Sequence, residues 1–346
     1  MPEKYLLPLE LLLREKSTEI AELPHPKMEL FERYCEILRH LREDVYPLID
    51  AGLAGLSEDQ GLYTLHGADH FDEVVRYAGE LQGCKTGREP VNLSAYELFA
   101  LLVAIRIHDA GNMFGREGHE RRAFQILRDM GDASGTDEFE KRIIADIAEA
   151  HGGRTPAGSK DTIGHLRPAG EKYHSVKIRS RVLAAIVRFA DEICESQSRA
   201  ARKLLAADAI PKHNEVFHKY AECIKSVTIE DGFVSLDYRF SVQDALRKWG
   251  KGGSRDDVEE VFLQDEILTR LDKMMLERQY CARFMRDVCE VRGIVVSIEI
   301  HDENFQRVMD VISLTSEDEG YPELAPGLRE RYSGYTGAEL YRKLSG

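Results

Sequence analysis

Long apolar runs are missing from this 346-residue chain: none approaches the roughly 20 residues that a bilayer-spanning helix needs, which excludes a membrane partner of that kind. Cysteine is scarce as well. Its six copies, at positions 35, 84, 194, 223, 281 and 289, form no CxxC pair and are too thinly spread for a disulfide framework, so a reducing compartment is expected. Positive charge is in deficit, with 47 Lys and Arg against 61 Asp and Glu and a formal net charge of −14. Coating nucleic acid by bulk electrostatics needs a positive face and is excluded on that ground, although the balance leaves room for a local basic cleft. No secretory leader is expected in the N-terminal stretch "MPEKYLLPLELLLREKSTE", whose leucines are interrupted by charge and proline and followed by no small-residue cleavage site. The expectation is a cytoplasmic protein.

What is present is core-forming material, 43% hydrophobic residues, enough for one large domain and a smaller one. Residues 1–60 predict two helical segments that pack on the domain after them; the better one sets Leu30, Phe31, Tyr34, Ile37, Leu38 and Leu41 at helical spacing. Residues 61–210 read as all-α, with helical periodicity from Thr64 to about Leu205 and glycine or proline punctuation at 83–90, 110–118, 131–135 and 152–170. Residues 222–315 read as a smaller α/β module. Val227 and Ile229, then Val234, Leu236, Tyr238 and Phe240, alternate around an Asp231-Gly232 turn and predict a β-hairpin. Next come a long amphipathic helix from about Val258 to Val291 and the strand "IVVSIEI". The glycine-rich "GKGGSRDD" lacks the spacing of a phosphate-binding loop and reads as a mobile linker, with Trp249 at its edge packing on the module. The tail, 316–346, offers at best one short terminal helix. The predicted fold class is mainly α: a helical bundle with a smaller C-terminal α/β module.

Twelve histidines are present, and an isolated histidine is ordinarily a solvated or hydrogen-bonded side chain. Several here differ in their place on apolar stripes. His108 extends the stripe Leu101, Ala104, Ile105; His70 begins one that continues through Val74, Ala78 and Leu81; His119 begins Ala123, Ile126, Leu127, Met130; His151 ends Ile144, Ile147, Ala148. Asp191 closes the apolar helix "RVLAAIVRFADEI", and Asp109 stands directly after His108. Leaving such groups buried and unpaired costs roughly 1–3 kcal/mol or more each, a cost removed if they converge on one or two cations. Four imidazoles with two carboxylates and no thiolate suit Mn, Fe, Co, Ni or Zn, with Mg less suited as sole occupant. One ion, or two bridged by Asp109, would lower the pKa of water to about 7 and clamp a phosphoryl oxygen, which makes phosphate-ester hydrolysis the natural chemistry. His301-Asp302 repeats the dipeptide after a strand, without partner histidines, and reads as a surface turn.

The ordered set His70, His108-Asp109, Asp191 resembles the HD-domain superfamily of metal-dependent phosphohydrolases. "HFDEVV" looks like its first motif and "RFADEICESQSRA" like its last, over residues 62–203. The resemblance implies an HD-type helical bundle, and His119 and His151 match the extra histidines of members that hold two metals. Within the superfamily, "HDAGNMFGREGHE" looks most like the loop of deoxynucleoside triphosphate hydrolases. It departs from them in carrying Asn112 where they have a catalytic histidine and in separating Gly115 from Gly118 by two residues. The cyclic-dinucleotide branch has a Gly-Tyr-Pro after its second-metal histidine; "GGRTPAG" after His151 lacks it, and Gly320-Tyr321-Pro322 lies far downstream. "KIRSRVLAAIVRFADE" is similar to HD proteins of bacterial antiphage loci.

These readings give a leading expectation and two rivals. The first is a metal-activated water attacking a nucleotide, most plainly a nucleoside triphosphate. The rivals are a phosphodiesterase on a cyclic nucleotide or single-stranded nucleic acid, and an idle nucleotide sensor, against which the complete ligand set speaks. Asp109, Glu120, Glu117, Asp69 and His66 are candidates for acid–base work or water orientation; His66, four residues before His70, shares its helical face or serves as a helix-entry residue. Arg116, Arg154, Lys177 and Arg181 are the cations expected to meet phosphate, among neighbours such as Arg121, Arg122 and Arg179. Self-association stays open.

Overall fold

The computed structural model describes residues 6–17, 29–49, 68–115, 117–131, 135–174, 176–318 and 327–345. The chain is mainly α with a smaller α/β region, and it divides into two compact units. Of the described residues, those between 6 and 49, 68 and 194, and 280 and 290 fall in the first, and those between 195 and 279 and between 291 and 345 fall in the second.

In the first unit the N-terminal helices are α1 (Pro8–Lys16) and α2 (Leu30–His40), the latter continuing through a π-helical turn, Leu41–Val45, to residue 49. Then come α3 (Ala68–Leu81), α4 (Ala95–Ile107), α5 (Ala123–Asp129), α6 (Glu138–Glu149) and α7 (Ser180–Glu192). Helix α4 is the centre, packed on α1, α2, α3, α6 and α7. It starts where Ser94 Oγ accepts the Glu97 N–H and the Glu97 carboxylate accepts the Ser94 N–H, a reciprocal cap. All thirteen of its residues are buried, so it has no apolar stripe but an apolar circumference, as a helix surrounded by others must. The expectation of helix alone over residues 64–205 needs correction: β1 (Glu171–Tyr173) and β2 (Val176–Ile178) form a short antiparallel hairpin, too brief to leave an alternating signature.

The second unit holds α8 (Glu215–Cys223) and a four-stranded sheet of order β3-β4-β7-β8. Strands β3 (Ile224–Glu230) and β4 (Phe233–Ser241) form the expected hairpin, with Asp231 and Gly232 at positive φ in a two-residue turn. The linker expectation was wrong. Residues 250–257 belong to an antiparallel hairpin of β5 (Lys248–Ser254) and β6 (Asp257–Phe262). Its glycines serve close backbone approach: a Cβ on Gly250 would sit 2.0 Å from the Lys212 carbonyl oxygen, and one on Gly252 would sit 1.8 Å from that of Asp257. Because β6 takes residues 257–262, the long helix α9 begins at Leu263 and ends at Met285, shorter at both ends than expected. Trp249 is buried, its indole N–H donating to the Asp244 carbonyl. Strand β7 (Gly293–His301) pairs parallel with β4 and antiparallel with β8 (Ile312–Glu317), and Leu271 and Met275 of α9 face Ile294, Val296 and Leu314. Among the described residues of the tail, where at best one short helix was expected, there are a helical turn at Leu328–Arg331 and a final helix α10, Gly337–Ser345.

Candidate metal centre

Each candidate ligand sits at or next to a helix end in the first unit. His70 lies in the first turn of α3, and His108 caps the C-terminus of α4. Asp109 comes next with φ −106° and ψ 3°, the bridge conformation common among active-site residues. His119 opens a 3-10 turn, His151 lies just past α6, and Asp191 is in the last turn of α7. Gly111 makes the Asp109–His119 loop fold back on itself: a Cβ there would lie 2.1 Å from the His119 carbonyl oxygen.

These elements bring six side chains together. His70 Nε2 is 3.4 Å from His108 Nε2 and 3.3 Å from Asp191 Oδ1, which is 3.6 Å from His108 Nε2. On the other side, Asp109 Oδ1 is 3.0 Å from His119 Nε2 and 3.4 Å from His151 Nε2, while its Oδ2 lies 3.9 Å from His108 Nε2. Three overlapping triads result, His70/His108/Asp109, His108/His151/Asp191 and Asp109/His119/His151, each with its ligand atoms within 4.8 Å of one another. His70, His108, Asp109 and His151 are buried; Asp191 keeps 28% of its side chain accessible, so the cluster is open to solvent on that side.

The donor set fits a cation. His108 Nδ1 lies 2.7 Å from the Ile105 carbonyl oxygen and His151 Nδ1 lies 2.6 Å from that of Ala148. A ring nitrogen beside a carbonyl must be the protonated one, which leaves Nε2 as the lone-pair nitrogen facing the cluster. Ligand atoms about 2.1 Å from a common ion lie roughly 3.0–3.4 Å apart in octahedral or tetrahedral geometry, which matches the shorter separations here. Without a cation a proton takes the place. Burial works against charging His108, but Asp109 and Asp191 outweigh it and push its pKa up to about 9. Burial alone would raise the Asp191 pKa; the hydrogen bonds with His108 and His70 outweigh it and hold the carboxyl well below the usual range.

The remaining candidates are distributed differently. His66 and Arg116 lie outside the described residues. Glu120 Oε2 is 3.5 Å from His119 Nδ1, on the side of the ring away from Asp109, and its carboxyl packs where a side chain on Gly153 would be. Asp69 and Glu117 are exposed. Arg154 is exposed, with its Nη1 donating to the Gly158 carbonyl; Lys177, expected to meet phosphate, is exposed on β2, which leads into the N-terminus of α7, a helix length from Asp191. Arg181 donates through Nε and Nη2 to the Leu166 and Gly164 carbonyls. Sequence reasoning missed Cys194, buried with its Sγ 3.5 Å from His70 Nδ1 and 3.7 Å from Glu73 Oε2. Its position one turn beyond Asp191 was the available signal. Asn112, noted only as a departure from a motif, is buried in the turn after Asp109. His301 ends β7 and Asp302 opens the turn after it, its Oδ1 accepting the Asn304 and Gln306 N–H groups, far in sequence from any of the triads.

A helical unit whose helix ends gather imidazoles and carboxylates into a buried cluster is the arrangement of a metal-dependent hydrolase of the HD type. The HD-CE family model matches residues 61–258, more than half of the chain, and the chain belongs to that family. No curated protein and no solved structure matches it.

Proposed function

We propose that the chain is a two-ion phosphohydrolase acting on a nucleotide, most plainly a nucleoside triphosphate. The observation that carries this is the sharing of Asp109 between opposite halves of the cluster, Oδ2 toward His108 and Oδ1 toward His119 and His151. His70, His108, Asp109 and Asp191 would hold one divalent ion, and Asp109, His119 and His151 a second; the N/O donor set suits Mn, Fe, Co, Ni or Zn, with Mg open. Bound there, such ions supply an ionised water at neutral pH and a clamp for a phosphoryl oxygen. The chain's own groups do the rest. The carbonyls of Ile105 and Ala148 hold two imidazoles in the ligating tautomer, and Glu120 orients His119 from its outer nitrogen. The partly accessible Asp191 side is where a substrate would approach, and Arg154, three residues after His151, is the exposed cation proposed to meet its phosphates. The triphosphate reading is supported by the likeness of "HDAGNMFGREGHE" to deoxynucleoside triphosphate hydrolases, and a role in antiphage defence by that of "KIRSRVLAAIVRFADE".

The test is a screen of purified protein against nucleoside triphosphates, cyclic nucleotides and single-stranded oligonucleotides with Mn, Co, Ni, Zn and Mg in turn. Release of tripolyphosphate or pyrophosphate is expected. Linear nucleotides as products would favour the phosphodiesterase alternative instead. No turnover, with a nucleotide raising the melting temperature of chelated protein, would replace the enzyme by a sensor.

A further inference from the structure

The HD-CE match starts at residue 61, so helices α1 and α2 lie outside it, yet they reach the candidate ligands by two separate routes. The first is polar. Arg106, two residues before His108 and wholly buried, pairs through Nη2 with Glu10 of α1 at 2.8 Å and through Nε with the Tyr34 hydroxyl of α2 at 2.9 Å. The Tyr34 hydroxyl also bonds the Glu10 carboxylate, and the other arm of the guanidinium pairs with Asp72, two residues after His70 on α3. One guanidinium therefore ties the helices that carry His70 and His108 to each other, and α1 and α2 fix where it sits. The second route is aromatic. Tyr46, just past the π turn of α2, donates its hydroxyl to the Arg106 carbonyl at 2.9 Å and stacks on Phe71 with centroids 4.5 Å apart and planes 6° from parallel. Phe71 meets the His108 ring edge-on at 5.4 Å. A single turn of π-helix is a frequent companion of functional sites, and here it precedes the residue that reaches in.

We infer that α1 and α2 are part of the metal centre: Tyr34 and Tyr46, with Glu10, are positioning residues that set the separation of His70 and His108. A segment that merely covered the bundle would need apolar contacts, not a buried network centred on the arginine between the two ligand helices. The inference rests on the cluster being a metal site.

The experiment is Co(II) titration of the full chain, reading the dissociation constant and the visible absorption bands at a temperature where circular dichroism shows each protein folded. Tyr34→Phe and Tyr46→Phe each remove one hydroxyl and keep the ring; Glu10→Gln is the harsher variant. Arg39→Ala, which removes only exposed pairs of α2 with Glu36 and Glu43, is the control. The expected result is Co(II) binding weakened about tenfold in both Phe variants, with shifted bands, while Arg39→Ala matches the unsubstituted protein. Unchanged affinity and spectra in folded Phe variants would overturn the inference and leave the metal reading standing. An unsubstituted protein that bound no Co(II) would overturn both.

Discussion

Proton release on metal binding can be worked out from His108. Without a cation its imidazole is charged at neutral pH, since the flanking carboxylates push its pKa up to about 9. A metal must displace that proton, so at pH 7 only about one molecule in a hundred has the ligating form, and apparent affinity should rise roughly tenfold per pH unit, about 100-fold from pH 6.5 to 8.5. The rise should level off above pH 9. Asp191, held well below the usual carboxylate range, stays ionised throughout and adds no slope in this window. On the metal-free protein the same proton acts in the opposite sense. A folded-state pKa raised above the ordinary histidine value of about 6.5 contributes stability that is complete below that pH and is lost as pH climbs through 9, on the order of 3 kcal/mol for this buried group. Chelated protein should therefore melt at lower temperature as pH rises from 6.5 to 9, while the metal-loaded form gains on it. Calorimetric Co(II) titrations in buffers of different ionisation enthalpy count the released proton directly. An affinity flat across pH 6.5–8.5, with no proton released at pH 7, would refute the placement of His108 Nε2 as a ligand atom.

Asp109→Ala should abolish metal uptake and any phosphohydrolase activity, whereas His301→Ala, at the other His-Asp dipeptide, should change neither; equal effects, read by metal analysis after dialysis, would erase the distinction between the two. Gly111→Ala would drive a methyl against the His119 carbonyl, and we expect a loss of about 1–3 kcal/mol in thermal unfolding together with loss of the ion held by His119 and His151 before the other. Two ions retained in a stable Gly111→Ala protein would contradict the close approach. Gly252→Ala should lower the melting temperature through a clash in the β5–β6 hairpin with the Asp257 carbonyl, while leaving Co(II) affinity of the folded protein unchanged. A protein as stable as the original would show that the segment is the loose linker its composition first suggested.

The α-helical unit was readable in advance because helix periodicity is local: residues three and four apart share a face whatever surrounds them. The same locality made the His and Asp residues at helix ends visible, since a polar group closing an apolar stripe stands out within a dozen positions. The β3–β4 hairpin was readable for a like reason, as its alternation and Asp-Gly turn lie within eighteen residues. The β5–β6 hairpin was not, because its glycines are chosen by the backbone of residues 212 and 257 pressing on them, and a missing side chain leaves no pattern.

By itself the sequence determined which side chains were available for a cation and the helix ends that would present them, because both come from residue chemistry and short-range geometry. Only the tertiary structure decided that Asp109 would face two sets of imidazoles with its two oxygens, that Cys194 would stand behind His70, and that Arg106 would find Glu10 across 96 positions of chain. Those pairings depend on how helices distant in the chain cross and on the removal of water from between them. No local rule carries that information.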